Sequence, residues 1–201
     1  MITLWIPSVK PPEWNCINSW WNLDSPEKLR LVPGKAVANN VKYSWNQVVK
    51  DFLVTDDEWL FSVHDDVVLD KETLTRLLSW NEPLVSALIF MRQSPVVPHI
   101  WHKDEKTQTE YSHRILETRD WFIKHQEYIR FGSFTMNPRP DDALAPIDFT
   151  STSCTLIHRS VLEGMRETVK DEWFKWDDDL NGGGEDRNFF DNARACGFTP
   201  Y

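Results

Sequence analysis

The sequence WLFSVHDDVV at residues 59–68 places a histidine and two aspartates directly after an apolar run. That run is apolar on both faces, which is typical of a buried strand in a parallel central sheet. Ligands of open α/β sheets bind at the carboxyl ends of the strands, so we expect His64, Asp65 and Asp66 to border a ligand site. Carboxylates there can hold a divalent cation, which in turn grips a diphosphate. The competing interpretation is that both aspartates only cap the next helix and that His64 is a surface residue.

Strands and helices alternate on either side of this stretch. The predicted strands cover residues 2–6, 59–63, 83–90 and 149–158, and the predicted helices cover 36–53 and 69–80 and begin again near Ser160 and Glu185. This alternation predicts one α/β domain over residues 1–201, with a mainly parallel central sheet flanked by helices. Residues 102–145 are polar and match no regular pattern well.

Two of the predicted helices carry clear amphipathic signals. In the helix at 36–53, helical spacing places five apolar residues on one face: Val41, Trp45, Val48, Val49 and Phe52. In the helix at 69–80, Asp70 is the predicted N-cap, and an apolar stripe is formed by Leu74, Leu77 and Leu78. Both patterns predict helices that lie against the sheet.

Composition excludes several classes of function. The chain has 201 residues, 41% of them hydrophobic, and a formal net charge of -9. An acidic chain is unsuited to general binding of a nucleic-acid backbone. Three cysteines without a pairing motif indicate a reducing compartment, and we expect a cytoplasmic protein. No apolar run approaches the roughly 20 residues that span a bilayer.

A second candidate site follows the glycines at residues 182–184. Glu185 and Asp186 begin the last predicted helix, where acidic residues often only complement the helix dipole. A carboxylate on a rigid helix behind a glycine-rich loop also suits a general base. The stretch is not a phosphate-binding P-loop, because the expected Lys-Ser/Thr pair is absent.

Other polar residues give weaker signals. Arg92 follows a predicted strand and could pair with phosphate, although a surface ion pair explains it equally well. His99 and His102 lie three apart but lack the further ligands of a zinc site. Cys154 lies within a predicted buried strand and is interpreted as a packing thiol. The acidic stretch at 176–180 is interpreted as a solvated turn.

The order of these segments resembles nucleotide-sugar glycosyltransferases of the GT-A fold, a Rossmann-like single domain, and especially the family 2-like group. The segment EWLFSVHDDVVLDKETLTRLL is similar to the strand, Asp-x-Asp metal motif and helix of that family. GGGEDRNFFDNARACGF resembles the segment that supplies the catalytic base of inverting members, and STSCTLIHRSVLEGM resembles a segment with glycines where this chain has Ser151 and Ser153. The segments ITLWIPS, YSWNQVVKDFL and PLVSALIFMRQSPVVPHIW resemble further family elements.

The resemblance implies that the two halves of the chain have different functions. Residues 1–101 would form the nucleotide-sugar-binding half, and residues 102–201 the acceptor and catalytic half. The implied substrates are a UDP- or GDP-sugar donor and a carbohydrate, lipid-linked or protein acceptor, and the implied cofactor is Mn²⁺ or Mg²⁺. The implied residues are Pro7, Ser8, Asn46, His64, Asp65 and Arg92 for the donor, His64, Asp65 and Asp66 for the metal, and Asp186, or else Glu185, for the base in an inverting transfer.

Three departures from the family pattern stand out. His64 replaces the first aspartate of the metal motif, and Trp45 stands where arginine is common, which we expect to alter one wall of the nucleotide pocket. Many relatives continue past the position of Tyr201 with a strand and often a late histidine ligand, and the resemblance leaves truncation and design as the two explanations for the missing element. These departures favour an alternative, a catalytically inactive sugar- or nucleotide-binding protein of the same fold. A nucleotidyltransferase would need a glycine-rich loop where IPSVKPPEW offers prolines.

Overall fold

The structure is a computed structural model, and it describes residues 1–8, 11–35, 41–89, 99–103, 111–113, 144, 146–176 and 184–201. The strands are β1 (Ile2–Ser8), β2 (Leu29–Lys35), β3 (Trp59–Val63), β4 (Leu84–Ser86), β5 (Ile100–Lys103), β6 (Tyr111–His113), β7 (Phe149–Thr150) and β8 (Cys154–His158). The helices are α1 (Trp14–Trp21), α2 (Val41–Leu53), α3 (Thr73–Ser79), α4 (Arg159–Val169) and α5 (Glu185–Ala195).

The main sheet has five strands in the order β2-β1-β3-β8-β4. Strand β1 runs parallel to β2 and β3, whereas β8 runs antiparallel to both β3 and β4. The α/β class is therefore confirmed, but the prediction of a mainly parallel sheet is wrong, because the sheet is mixed. Helices cover both faces of this sheet, so its central strands are mostly apolar whether they run parallel or antiparallel, and their composition does not reveal strand direction.

A second sheet has three antiparallel strands in the order β6-β5-β7. The predicted strand at 149–158 is divided between the two sheets, because β7 pairs with β5 while β8 joins β3 and β4. A turn at residues 151–153 separates them, and in it the Ser153 N–H donates to the Ser151 hydroxyl over 3.2 Å. Serine and threonine hydroxyls commonly stabilise turns in this way.

Other predicted elements differ in their bounds. Helix α3 begins at Thr73, and the Asp70 carboxylate accepts the Glu72 N–H over 3.0 Å in the turn before it instead of capping the helix. Strand β4 covers only Leu84–Ser86 of the strand predicted at 83–90. The first five residues of the helix predicted at 36–53 lie outside the described residues, and α2 begins at Val41.

Two apolar clusters lie on opposite faces of the main sheet. One joins α2, α4 and α5 to β1 and includes Trp5, Trp45, Phe174 and Phe189. The other joins α3 to the opposite side chains of β1 and β3, including Leu4 and Phe61. Alternate residues of a strand point to opposite faces, which explains why Leu4 and Trp5 belong to different clusters.

Trp45 lies in the first of these clusters. Its ring centroid lies 4.2 Å from that of Trp5 and 4.3 Å from that of Phe174, and Trp45 is fully buried. The helical stripe of α2 is therefore confirmed where its side chains are described. The expectation that Trp45 lines a wall of the nucleotide pocket is wrong, because these aromatic neighbours enclose it.

The cysteines are free thiols, and Cys16 and Cys154 are buried. Burial raises the pKa of the Cys154 thiol to about 12. A thiol with so high a pKa stays protonated and is a poor nucleophile, in agreement with the interpretation as a packing residue. Among the described residues, no helix is both long enough and apolar enough to span a bilayer.

Arg159 holds the end of α2 against the start of α4. Its guanidinium donates to the backbone carbonyls of Phe52, Thr55 and Asp57 at 3.2, 2.5 and 2.9 Å. Carbonyls at the end of a helix have no partner within it, and Arg159 donates to that of Phe52 and to two carbonyls in the turn that follows. The Phe52 carbonyl also accepts the Thr55 N–H over 3.0 Å.

We expect Arg159→Ala to lower the free energy of unfolding by roughly 2–4 kcal/mol, because several half-buried carbonyls lose their donor at once. Urea denaturation would measure the loss. The control is Arg166→Ala on the same helix, where an exposed Arg166–Asp171 pair of 2.8 Å should contribute less than about 1 kcal/mol. Equal losses in the two variants would contradict the role of Arg159.

Candidate functional site at the carboxyl edge of the main sheet

His64, Asp65 and Asp66, here called the HDD motif, form a tight turn directly after β3. The Val67 N–H donates to the His64 carbonyl over 3.1 Å, which closes the turn around Asp65 and Asp66. Asp66 is exposed, and Asp65 is half-buried. The motif therefore lies at the carboxyl end of a buried strand, as the sequence predicts.

The end of β1 lies beside this turn. The Ser8 hydroxyl donates to the Asp65 carboxylate over 2.8 Å. Pro7 precedes Ser8 in the same strand. The parallel pairing of β1 with β3 brings these carboxyl ends to one edge of the sheet. Three of the predicted donor-binding residues, Pro7, Ser8 and Asp65, are thus brought together.

The turn at 151–153 completes this edge because β8 runs antiparallel to β3, which places the beginning of β8 next to the end of β3. The His64 N–H donates to the Ser153 carbonyl over 2.9 Å. The Ser153 hydroxyl lies 3.0 Å from His64 Nδ1. Backbone and side chain of His64 are therefore both attached to this turn.

The acidic start of α5 meets the same turn from the other side. The Thr152 hydroxyl donates to Asp186 Oδ1 over 2.5 Å. Gly184 is the N-cap of α5 and provides no side-chain capping bond. We use the term candidate site for residues 64–66, 151–153, 185 and 186. The turn joins the two acidic segments of this site through consecutive residues, since Ser153 bonds His64 and Thr152 bonds Asp186.

Burial dominates the electrostatics of the candidate site. Burial lowers the pKa of the His64 imidazole, although the charges of Asp66, Asp65 and Glu185 oppose that shift. Burial also raises the pKa of Glu185, and the charge of Asp186 raises it further. The site therefore favours a neutral His64 and makes Glu185 a stronger base than a solvated glutamate.

Two opposing effects act on the pKa of Asp186. Burial raises the pKa of its carboxyl group, while hydrogen bonds from Thr152 and Ser151 hold part of that rise back. A carboxylate with a raised pKa is a stronger base at neutral pH than a solvated aspartate. The interactions of His64 with Glu185, and of Glu185 with Asp186, also indicate that the two acidic segments share one region.

The side chains fit a divalent cation only in part. Within the ranges that the structure describes, no three His, Cys, Asp or Glu side chains are grouped to hold a metal ion. His64 Nε2 is nevertheless buried without a hydrogen-bond partner among those residues, and the exposed Asp66 lies two positions away. Protein sites for Mg²⁺ often supply only one or two ligands and take others from substrate phosphates. Asp66 and His64 fit that incomplete kind of set.

Another predicted donor-binding residue, Asn46, contacts the chain after α4. The Asn46 side chain accepts the Phe174 N–H over 3.0 Å and donates to the Phe174 carbonyl over 2.8 Å. These bonds give Asn46 a structural role, fastening α2 to the chain after α4, which its prediction as a donor-binding residue did not anticipate. Arg92 falls outside the described residues, as do Gly182 and Gly183 of the predicted glycine loop.

Sequence reasoning missed the role of the turn at 151–153. The family pattern distinguishes Ser151 and Ser153 only as replacements of glycines, and it gives Thr152 no role. The available signal was three consecutive hydroxyl residues interrupting an apolar strand. Such residues favour turns and supply hydrogen-bond donors to nearby carboxylates.

Comparisons with known proteins support the fold alone. No family model and no curated protein matches the chain. Eighteen chains of solved structures do match, among them the crystal structure of A197 from STIV. That structure aligns with a TM-score of 0.55 and 15% sequence identity, over 96% of this chain and 78% of the other.

Proposed function

We propose that the chain is a glycosyltransferase that transfers a sugar from a nucleotide-diphosphate donor to an acceptor hydroxyl, with Asp186 as the base of an inverting reaction. The observation that carries the proposal is the junction at residues 151–153, which brings the acidic motif after β3 to the acidic start of α5. A transferase of this kind needs one group for the diphosphate and another for the incoming alcohol, within reach of the same sugar carbon.

The first requirement falls to the HDD turn. Asp66 and His64 Nε2 would hold Mn²⁺ or Mg²⁺, which when bound supplies a Lewis acid for the leaving diphosphate. Ser8 orients Asp65 beside this position through their 2.8 Å hydrogen bond. The UDP- or GDP-sugar donor would lie along the carboxyl edge of β1 and β3, where open α/β sheets bind nucleotides.

The second requirement falls to Asp186. Its carboxylate would take the proton of the acceptor hydroxyl as that oxygen forms a bond with the anomeric carbon. The bond from that carbon to the phosphate oxygen breaks on the opposite face, and the nucleoside diphosphate leaves with the electron pair. Thr152 supports this role because its hydroxyl fixes the carboxylate at 2.5 Å. Carbohydrate, lipid-linked and protein acceptors all offer a suitable hydroxyl.

A second candidate is a catalytically inactive sugar- or nucleotide-binding protein. It is favoured by the incomplete set of metal ligands among the described residues. Slow hydrolysis of the donor in the absence of an acceptor would distinguish the two, since a binding protein releases its ligand unchanged.

A panel of UDP-, GDP- and CMP-sugars tests the proposal by thermal denaturation with and without Mn²⁺. At a concentration of 100 Kd, a ligand stabilises the folded state by about 2.7 kcal/mol. For a domain of this size that corresponds to a rise in Tm of roughly 5–10 °C. We expect one donor class to produce this rise in the presence of the metal.

Asp66→Asn should remove the metal-dependent part of that rise, because it replaces a charged ligand with a neutral amide. Asp70→Asn is the matched control, since Asp70 is exposed and its side chain accepts the nearby Glu72 N–H, a bond that the asparagine oxygen can keep. Stabilisation of the Asp66→Asn variant equal to that of wild type would remove Asp66 from the donor site.

A further inference from the structure

Helix α1 presents two tryptophans to solvent. Trp14 is 74% exposed and Trp21 is 84% exposed, although tryptophan side chains are highly buried on average in folded proteins. The two residues lie seven positions apart, about two helical turns, so both project from one face at a separation of roughly 10 Å along the helix axis. Packing of the core therefore does not explain them.

The opposite face of α1 fastens the helix beside the candidate site. Ser19 on that face is buried, and its hydroxyl accepts the Leu69 N–H over 3.1 Å. The Trp20 indole N–H donates to the Val67 carbonyl over 3.1 Å. Val67 is the residue that directly follows the HDD motif. The exposed tryptophans therefore stand on a fixed helix that lies against the chain leaving the HDD turn.

The exposed face of α1 is aromatic and uncharged. The helix has the sequence WNCINSWW, which contains amide side chains but no acidic or basic residue. Asn18 lies one turn from each of the two tryptophans, and its side chain accepts the Asn22 amide over 3.1 Å. Antibody sites likewise combine rigid aromatic surface with adaptable asparagine hydrogen bonding. Such a surface suits a ligand that is polar but carries no charge.

A carbohydrate matches this surface better than a lipid membrane does. The C–H bonds of a pyranose ring form an apolar face that stacks on the electron-rich face of an indole, while the hydroxyls can bond to amides. Helices that lie on membranes carry lysines and arginines beside their aromatic residues. In α1 these are absent, the N-cap residue is Glu13, and the net charge of -9 opposes approach to an anionic lipid surface.

We propose that Trp14 and Trp21, here called the tryptophan platform, bind a neutral oligosaccharide with one sugar ring on each indole. A single pyranose is too short to bridge roughly 10 Å, so the platform selects a chain of sugars. The inference rests on the proposed function for one point, that the bound chain is the acceptor. It then narrows the acceptor from any carbohydrate, lipid-linked or protein hydroxyl to an oligosaccharide. Binding itself needs neither donor nor turnover.

The test follows the indole N–H signals of the ¹⁵N-labelled full chain during titration with linear neutral oligosaccharides of glucose, galactose or mannose, without nucleotide or metal. Single substitutions assign the signals among the eleven tryptophans. We expect at least one series to shift Trp14 and Trp21, with its monosaccharide binding more weakly. Trp80 at the end of α3, which is 38% exposed, should stay unchanged. Unchanged Trp14 and Trp21 signals with all three series overturn the proposal.

Trp14→Ala and Trp21→Ala test the platform directly. Each should raise the Kd for the oligosaccharide about two- to tenfold, the effect of losing one stacked ring, and bring it toward the Kd for the monosaccharide. Both side chains are exposed, so these variants should fold with little change in stability. Trp14→Phe keeps an aromatic face and should bind more tightly than Trp14→Ala, and Trp80→Ala should bind like wild type. Equal Kd values in wild type and both platform variants overturn the proposal.

Sedimentation with phosphatidylcholine vesicles tests the competing ligand, a lipid surface. We expect the protein to stay in the supernatant. Cosedimentation that is lost in Trp14→Ala and Trp21→Ala would assign the exposed face of α1 to a membrane and overturn the proposal.

The two proposals fail separately. If an oligosaccharide binds at the platform but no nucleotide-sugar stabilises the wild-type protein, the transferase assignment fails and the platform stands as a carbohydrate-binding site. If a donor binds with Mn²⁺ and its sugar is transferred, but no oligosaccharide shifts Trp14 and Trp21, the transferase assignment stands and the platform is overturned.

Discussion

Replacing Asp186 by asparagine should abolish sugar transfer and at the same time make the folded protein more stable near neutral pH. Loss of a general base typically lowers turnover by about 10²–10⁴-fold. Asparagine has nearly the same shape, and its Oδ1 can still accept the Thr152 hydroxyl that now lies 2.5 Å from Asp186. Donor binding should therefore be retained, so turnover falls while the metal-dependent thermal shift persists.

The gain in stability follows from the direction of the pKa shift. Burial raises the pKa of Asp186 above its value in the unfolded chain. A carboxyl group of this kind contributes stability that is fully present below the unfolded pKa and is lost as the pH rises through the folded pKa. Above that range wild type holds a buried charge that Asp186→Asn does not, so the variant should melt at a higher temperature.

Melting curves between roughly pH 4 and pH 8 would show the effect, with the gap between variant and wild type closing toward the acidic end. Each kcal/mol gained should raise Tm by roughly 2–4 °C in a domain of this size. Asp51→Asn is the control, because Asp51 is exposed and its hydrogen bond from Gln47 can persist. It should change stability by less than about 0.5 kcal/mol at any pH.

Glu185→Gln separates the two candidate bases. The pKa of Glu185 is also raised by burial, so the two residues cannot be distinguished by basicity alone. The Thr152 hydroxyl holds the Asp186 carboxylate in place, which suits a base that must meet an acceptor in one geometry. We expect Glu185→Gln to retain most of its turnover. A large loss there, with turnover intact in Asp186→Asn, would assign the base to Glu185.

Local patterns in the sequence sufficed to predict the elements nearest the candidate site. Strand β3 and the HDD turn after it were predicted because an apolar run followed by turn-forming residues is decided within a few neighbours. The buried stripe of α2 was predicted for the same reason, since Trp45, Val48, Val49 and Phe52 share one helical face. These features depend on the spacing of residues close together in the chain, which can be read directly from the sequence.

The missed elements lacked such a local signal. Helix α1 begins at Trp14, just after Pro11 and Pro12, and two consecutive prolines indicate a loop. Strand β2 includes Pro33 and Gly34, residues that argue against a strand. Proline is tolerated in β2 because this strand lies at the edge of the sheet, where one side of the backbone needs no partner. Position in the sheet, which the sequence does not state, decided the outcome.

Prediction of the candidate site from sequence was limited in the same way. Its carboxylates could be recognised individually, but the bonds that unite them join residues 89 and 34 positions apart. Those bonds depend on β8 running antiparallel to β3, whereas the sequence predicts a mainly parallel sheet without the direction of each strand. The turn at 151–153 could therefore be identified as a junction only once the strands were paired.

Trp45→Arg introduces the residue that is common in the family that this chain resembles. We expect the substitution to prevent folding and not to restore a nucleotide pocket. Trp45 is fully buried between the rings of Trp5 and Phe174. A guanidinium enclosed by aromatic rings would lose its hydration without gaining an ionic partner there, at a cost of several kcal/mol. Removing the indole adds a packing loss of roughly 3–5 kcal/mol. Together these approach the entire stability of a typical domain, about 5–15 kcal/mol.

The measurement is the yield of soluble protein together with its urea denaturation curve. Tyr43→Arg is the matched control, because Tyr43 lies two residues earlier in α2 and is 57% exposed. An exposed substitution of this kind should change the free energy of unfolding by less than about 0.5 kcal/mol. Trp45→Phe keeps an aromatic ring in the core and should fold with a smaller loss. A folded Trp45→Arg protein that binds a nucleotide-sugar more tightly than wild type would contradict this view and return position 45 to the donor pocket.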